Sequence, residues 1–152
     1  MRLVSACLLG VNCRYDGASK LNENVLALSR KETLIPVCPE QLGGLPTPRL
    51  PSGIASGTGV DVIAGRSSVR NADGEDVTEC FTTGAAEVLR LASMFDIQEA
   101  VLKQGSPSCG SGQTQCMENE GGSYLSHPAE GDGVTAALLK RNGVRVITEE
   151  DL

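Results

Sequence analysis

The chain has 152 residues, 40% hydrophobic and 21% charged, a size and composition that fit one compact domain spanning residues 1–152. Its net charge of −6 and pI near 4.8 exclude the broad basic surface that holds double-stranded nucleic acid through counterion release. No apolar stretch approaches the ~18 residues of a membrane span, and the opening apolar run meets Asn12, Arg14 and Asp16 before export length, so a cytoplasmic protein without a membrane partner is expected.

In that compartment thiols stay reduced, and six cysteines there suggest metal ligation or catalysis before disulfides. "RLVSAC" (2–7) is a short branched run ending at a turn, and "TLIPVC" (33–38) is another. The intervening "VLALSRK" has the spacing of a short helix, which gives the order strand, helix, strand. After Cys38, "PEQLGGLPTPRLPSGIASGTG" interleaves prolines and glycines with Leu42, Leu45, Leu50 and Ile54, as an ordered functional loop does.

"DVIAGRSSVRNADGEDVT" reads as a small hairpin turning at Asp73-Gly74. "VTECFTTGAAEVLRLASMF" predicts the longest helix, capped by Asp76 or Thr78, with Phe81, Ala85, Val88, Leu89, Ala92 and Phe95 on its apolar face. Cys80 lies inside that helix and reads as a packing residue. "EAVLKQ" predicts a strand that ends in the Gly/Ser-rich loop "GSPSCGSGQTQC". In this reading Cys116 is an exposed loop thiol, and His127, the only histidine, is a loop residue. "GDGVTAALLKRNG" predicts the last helix, with Asp132 as its cap and Gly143 past its end, and "VRVIT" the last strand.

This alternation predicts a mainly parallel sheet covered by helices on both faces, with ligands bound beyond the carboxyl ends of the strands. Cys7 and Cys38 each end a strand, and Cys109 follows a third, so the three sulfurs converge on one rim. Glycines and prolines beside each of them let the backbone approach a bulky or charged object. No C-x2-C knuckle is present, which disfavours structural zinc, and the Cys7/Cys13 spacing does not match a C-x-x-C redox pair. Spacing alone leaves iron-sulfur ligation, thiol or redox catalysis and inert core cysteines open.

"SACLLGVNCRYDG" with Lys20, "PVCPEQLGGLPTPR", "LKQGSPSCG" and "DGVTAALLKRNG" stand in order from Val4 to Val146 and resemble the DUF523 family, to which thiouracil desulfidase belongs. The resemblance implies a Rossmann-like three-layer α/β sandwich with a small hairpin insertion. It also implies an enzyme that removes sulfur from a thiolated pyrimidine without net redox change, giving uracil and hydrosulfide. Under it, Cys7, Cys38 and Cys109 would hold a 4Fe-4S cluster with one iron open to the substrate sulfur.

Glu40, in "CPE", is the acid nearest a proposed ligand and is suited to moving a proton. Ser106 is the favoured hydroxyl for contact with the base, with Ser108 the alternative. Cys13 is open between a fourth ligand, a sulfur acceptor and a buried thiol. Arg14, Lys20 and Arg49 form a local basic pocket able to grip a phosphate or carboxylate, or else Arg14, Asp16 and Lys20 make a salt-bridged wall. The competing functions are a non-catalytic metal- or sulfide-binding module, a thiol redox protein, and a desulfidase of thiolated nucleosides or RNA.

Overall fold

The computed structural model describes residues 1–152. Four short strands, β1 (Arg2–Ser5), β2 (Leu34–Val37), β5 (Glu99–Leu102) and β8 (Arg145–Thr148), pair in the order β2-β1-β5-β8, all parallel. Both faces are buried, as a parallel sheet requires. Along β1, Leu3 packs on one side with Val88, Ala92, Ala136 and Leu139, while Val4 packs on the other with Leu8, Cys13 and Val25. The first side is covered by α4 (Thr78–Met94) and α5 (Val134–Arg141), the second by α1 (Glu23–Leu28) and the 3-10 turn Ala6–Leu9.

The expected strands and helices are present, with α4 matching its apolar period closely. Phe81, Ala85, Val88 and Ala92 are buried, but Phe95 is exposed because the helix ends at Met94 and the chain turns at Asp96 (φ 52°). Neither expected side chain occupies the N-cap position. Val77 sits there, and the Asp76 carboxylate accepts from the Thr78 N–H at 2.9 Å. In the loop after Cys38, Ile54 is buried and Leu45 partly so, whereas Leu42 and Leu50 point to solvent. Asp132 does not cap α5. Its carboxylate accepts from the Gly112 N–H and the Lys140 ammonium, and Gly133 takes the cap position.

A second sheet was not expected. β3 (Ser52–Ile54), β4 (Val69–Asn71), β6 (Gln113–Glu120) and β7 (Ser123–Glu130) pair in the order β4-β3-β6-β7. The predicted hairpin at Asp73-Gly74 survives as the turn after β4, closed by a bridge from Arg70 to Asp76. The segments read as loops around Cys116 and His127 are instead a long ribbon of eight residue pairs, turning at Gly121-Gly122 with both glycines at positive φ. This sheet packs Ile54 and Val69 against Phe81, Ala85 and Val134, toward the N-terminal ends of α4 and α5 and along the same apolar face of α4 that meets the first sheet.

Two close backbone approaches lock the rim of the first sheet. α2 (Pro39–Leu42) begins immediately after Cys38 and lies on α4, where a Cβ on Gly84 would stand 1.9 Å from the Pro39 carbonyl and one on Gly43 1.9 Å from that of Cys80. Similarly, a Cβ on Gly133 would meet the Ser108 backbone at 2.6 Å, and the first free N–H groups of α5 donate to the carbonyls of Pro107 and Ser108. No helix is long and apolar enough to cross a membrane. Gly84→Ala should force α2 off α4 and cost roughly 1–3 kcal/mol, as overpacking of a close contact does, and the shift will appear in urea denaturation.

Candidate active site

The carboxyl ends of β1, β2 and β5 open into a cavity of about 540 Å³. β1 is flanked by β2 and β5, whose connections run in opposite directions along the sheet. The cavity therefore sits at the point where strand order reverses. Cys7, Cys13, Cys38 and Cys109 all line it, while Cys80 and Cys116 do not.

Local structure explains each placement. The 3-10 turn after β1 carries Cys7 and ends at Gly10 (φ 90°), and the Cys7 carbonyl accepts from the Lys20 N–H at 2.9 Å, which folds the Cys13 segment back over the turn. Cys38 is the residue before Pro39, the first residue of α2, so the fixed φ of proline starts the helix and leaves the thiol at the strand end. The Ser106 hydroxyl accepts from the N–H groups of Ser108 and Cys109 at 3.1 Å each and folds the loop that presents Cys109. Ser106 thus lines the cavity beside Cys109. Ser108 is not among the lining residues, and its hydroxyl is buried without a partner.

Three of the thiols, Cys13, Cys38 and Cys109, hold their protons more tightly than a free thiol does. Burial, followed by the charges of Cys38 and Glu40, pushes Cys109 up to about 12, against the pull of hydrogen bonds from Ser5 and Ser106. Cys38 is raised first by its hydrogen bond with Cys13 and then by burial. Cys13 is pulled down by Cys38, but its bond to Cys7, burial and the charge of Cys7 outweigh this and leave it raised. Cys13 therefore lies between Cys7 and Cys38, and Cys38 Sγ also donates to the Cys13 carbonyl at 3.6 Å.

The donor set fits a polynuclear cluster. Every convergent ligand is a sulfur, and the only histidine lies outside the cavity. One zinc ion bound at ~2.3 Å would hold its sulfurs within about 4 Å of one another. No three of these thiols come within 4.8 Å of one another, a wider spacing than a single zinc ion imposes. Thiolates scattered over several loops are the usual holders of iron-sulfur clusters.

Glu40 enters the cavity from the first turn of α2. One of its oxygens accepts from Arg49 Nε at 3.0 Å, and the other has no protein partner. Arg49 also donates to the carbonyl of Cys13 at 2.9 Å, to the carbonyl of Pro46 and to the hydroxyl of Thr47, and its side chain is only 5% exposed. Arg49 thus serves as a brace joining Glu40 to the Cys13 segment, rather than as the free anion grip its charge alone suggested. Lys103 is also engaged, by Glu149 and the Gln104 carbonyl. Arg14 reaches Asp16 at 3.9 Å and stacks over Tyr15, and Lys20 is exposed without an acidic partner, so the expected salt-bridged wall is only half formed.

Ser52, Gln115 and Ser126 form the facing wall and come from the second sheet. The Ser126 hydroxyl donates to Gln115 Oε1 at 2.8 Å. Sequence reading missed this wall. The Gly-Gly turn between two runs of alternating residues was the signal that could have revealed it.

A family model described as 2-thiouracil desulfurase matches residues 3–151. The chain is 44% identical over 152 residues to the uncharacterized protein YbbK of Bacillus subtilis (strain 168), covering 100% of this chain and 97% of that protein. It also resembles the solved structure of the 4Fe-4S-dependent thiouracil desulfidase TudS at 40% identity and a TM-score of 0.81, covering 99% of this chain and 91% of that one.

Two outcomes are expected. Folded metal-free protein keeps the Cys109 proton to about pH 12, whereas the unfolded chain releases it near 9.0. The resulting stability is fully present below pH 9 and is lost as pH rises toward 12. Cys109→Ala will flatten this fall when urea denaturation at about pH 8 and about pH 10 is compared with wild type. Arg49→Met leaves the half-buried Glu40 carboxylate unpaired and should cost roughly 3 kcal/mol by the same measurement.

Proposed function

The chain belongs to the 2-thiouracil desulfurase family, and from that premise we propose that it exchanges the sulfur of a thiouracil-type base for oxygen by hydrolysis. The products are uracil and hydrosulfide. The observation that carries this reading is the shared cavity, in which four sulfurs face a carboxylate with one oxygen braced by Arg49 and the other open. Cys7, Cys38 and Cys109 hold the 4Fe-4S cluster. Bound there, it supplies a soft Lewis acid that prefers a thiocarbonyl sulfur to a proton donor.

The protein's own residues do the rest. The open oxygen of Glu40 takes a proton from the attacking water, and the Arg49 brace keeps that oxygen aimed into the cavity. The Ser106 hydroxyl, held at Cys109, donates toward the ring. Cys13, between Cys7 and Cys38, packs the sulfur layer without serving as a ligand. One of the water's two protons leaves with the sulfur as hydrosulfide, and the other passes to solvent as the carbonyl forms. The cavity suits a free base or nucleoside, and the acidic surface disfavours duplex nucleic acid.

The test is anaerobic reconstitution with iron and sulfide, followed by hydrosulfide release from 2-thiouracil. Cys7→Ser, Cys38→Ser and Cys109→Ser should each lose the cluster, while Cys13→Ser keeps it. Glu40→Gln should keep the iron count and visible spectrum while turnover falls by about 10²–10⁴-fold, the usual contribution of a positioned base. A Glu40→Gln variant that turns over normally would overturn the role given to Glu40, and loss of the cluster in Cys13→Ser would overturn the ligand set.

A further inference from the structure

The wall that faces the cysteines holds polar side chains that the proposed reaction leaves unused. In the β6–β7 register Gln115 stands opposite Pro128 and Ser126 opposite Met117, so Gln115 and Ser126 are diagonal neighbours on the face that lines the cavity. Pro128 carries no hydrogen-bonding group on its side chain, and Met117, buried at 2% exposure, carries only a thioether. The Ser126 hydroxyl donates to Gln115 Oε1 at 2.8 Å, and Gln115 Nε2 has no partner in the chain.

That one bond settles which way the carboxamide points. With Oε1 turned to Ser126, both N–H groups of Nε2 are left for the cavity, and this wall presents a donor. Gln115 is half-buried, so its free donors are partly shielded from water and gain from a partner. We propose that Gln115, oriented by Ser126, reads the second exocyclic group of the pyrimidine, admitting a carbonyl oxygen there and rejecting an amino group.

The inference rests on the desulfuration reading, in which the substrate sulfur turns toward the cysteine rim and leaves the other exocyclic group to the ribbon. A carbonyl oxygen takes the Gln115 N–H. An exocyclic amino group sets donor against donor and leaves both unpaired, which is discrimination by an unfavourable contact. Thiouracil is thereby separated from thiocytosine, although the two share a ring and a sulfur. Gln115 is the specificity residue and Ser126 its positioning residue.

Two readouts keep recognition distinct from chemistry. Calorimetric titration of the reconstituted protein with uracil and cytosine measures recognition without turnover, and hydrosulfide release from 2-thiouracil and 2-thiocytosine measures it during turnover. Wild type should favour the oxo base by at least about 10-fold in both, as a site with a placed hydrogen-bond donor does. Gln115→Met, similar in volume but without the amide, should erase the preference while iron count and visible spectrum stay unchanged, and Gln115→Glu should turn it toward the amino base. Ser126→Ala should narrow the preference and Ser126→Thr restore it. A uracil preference without hydrosulfide release would remove the reaction and support the reading of Gln115. Equal binding of the two bases by wild type, absence of binding included, a preference for cytosine, or undiminished discrimination by Gln115→Met would overturn it.

Discussion

Parallel strand pairing is the constraint on which the site depends. Because β1, β2 and β5 run in the same direction and in register, with Ser5 level with Val37 and the Lys103 N–H bonded to the Ser5 hydroxyl, their following loops must emerge on one rim. Cysteines separated by as many as 102 positions, Cys7 and Cys109, thereby share a wall. The strand register holds the loops that carry these donors on one rim, which lowers the entropy cost of binding whatever they hold.

The electrostatics of the cavity oppose those of the whole molecule. The chain is acidic, yet Arg14, Lys20, Arg49 and Lys103 border the cavity with Glu40 as the only acid. Burial and mutual hydrogen bonding raise Cys13, Cys38 and Cys109 above an ordinary thiol, so these three resist losing their protons. Metal loading must therefore release protons, and the surrounding cations favour the thiolates that result.

Much of the first sheet was legible in the sequence, because its strands are buried on both faces and read as short apolar runs, and because α4 keeps a clean helical period from Phe81 to Ala92. The four cavity cysteines and Glu40 were legible for the same reason, each lying just past or near such a run. The second sheet was not. β3 and β4 are only three residues long, and β6 reads as polar because a two-stranded ribbon leaves many of its side chains in water. The brace made by Arg49 was equally hidden, since its carbonyl partner at Cys13 lies 36 residues away and no local pattern encodes that contact. Asp132 misled because an acidic residue before a helix usually caps it, whereas the close approach at Ser108 admits only glycine at the next position.

The backbone contacts at Gly43, Gly84 and Gly133 confine half of the cavity to one shape. Every thiol and the carboxylate stand on that half, and side-chain substitution at these glycines cannot retune it without disturbing the loops that carry Cys38 and Cys109. On the ribbon half the close approach of Gly53 to the Cys116 backbone fixes the strands but not the side chains that line the cavity. Gln115 and Ser126 can be exchanged for larger, smaller or differently polar residues while their strand register stays intact. Descendants of this chain can thus diverge in the guest they admit while inheriting the reactive half unchanged, with variation concentrated on the ribbon and the glycines fixed.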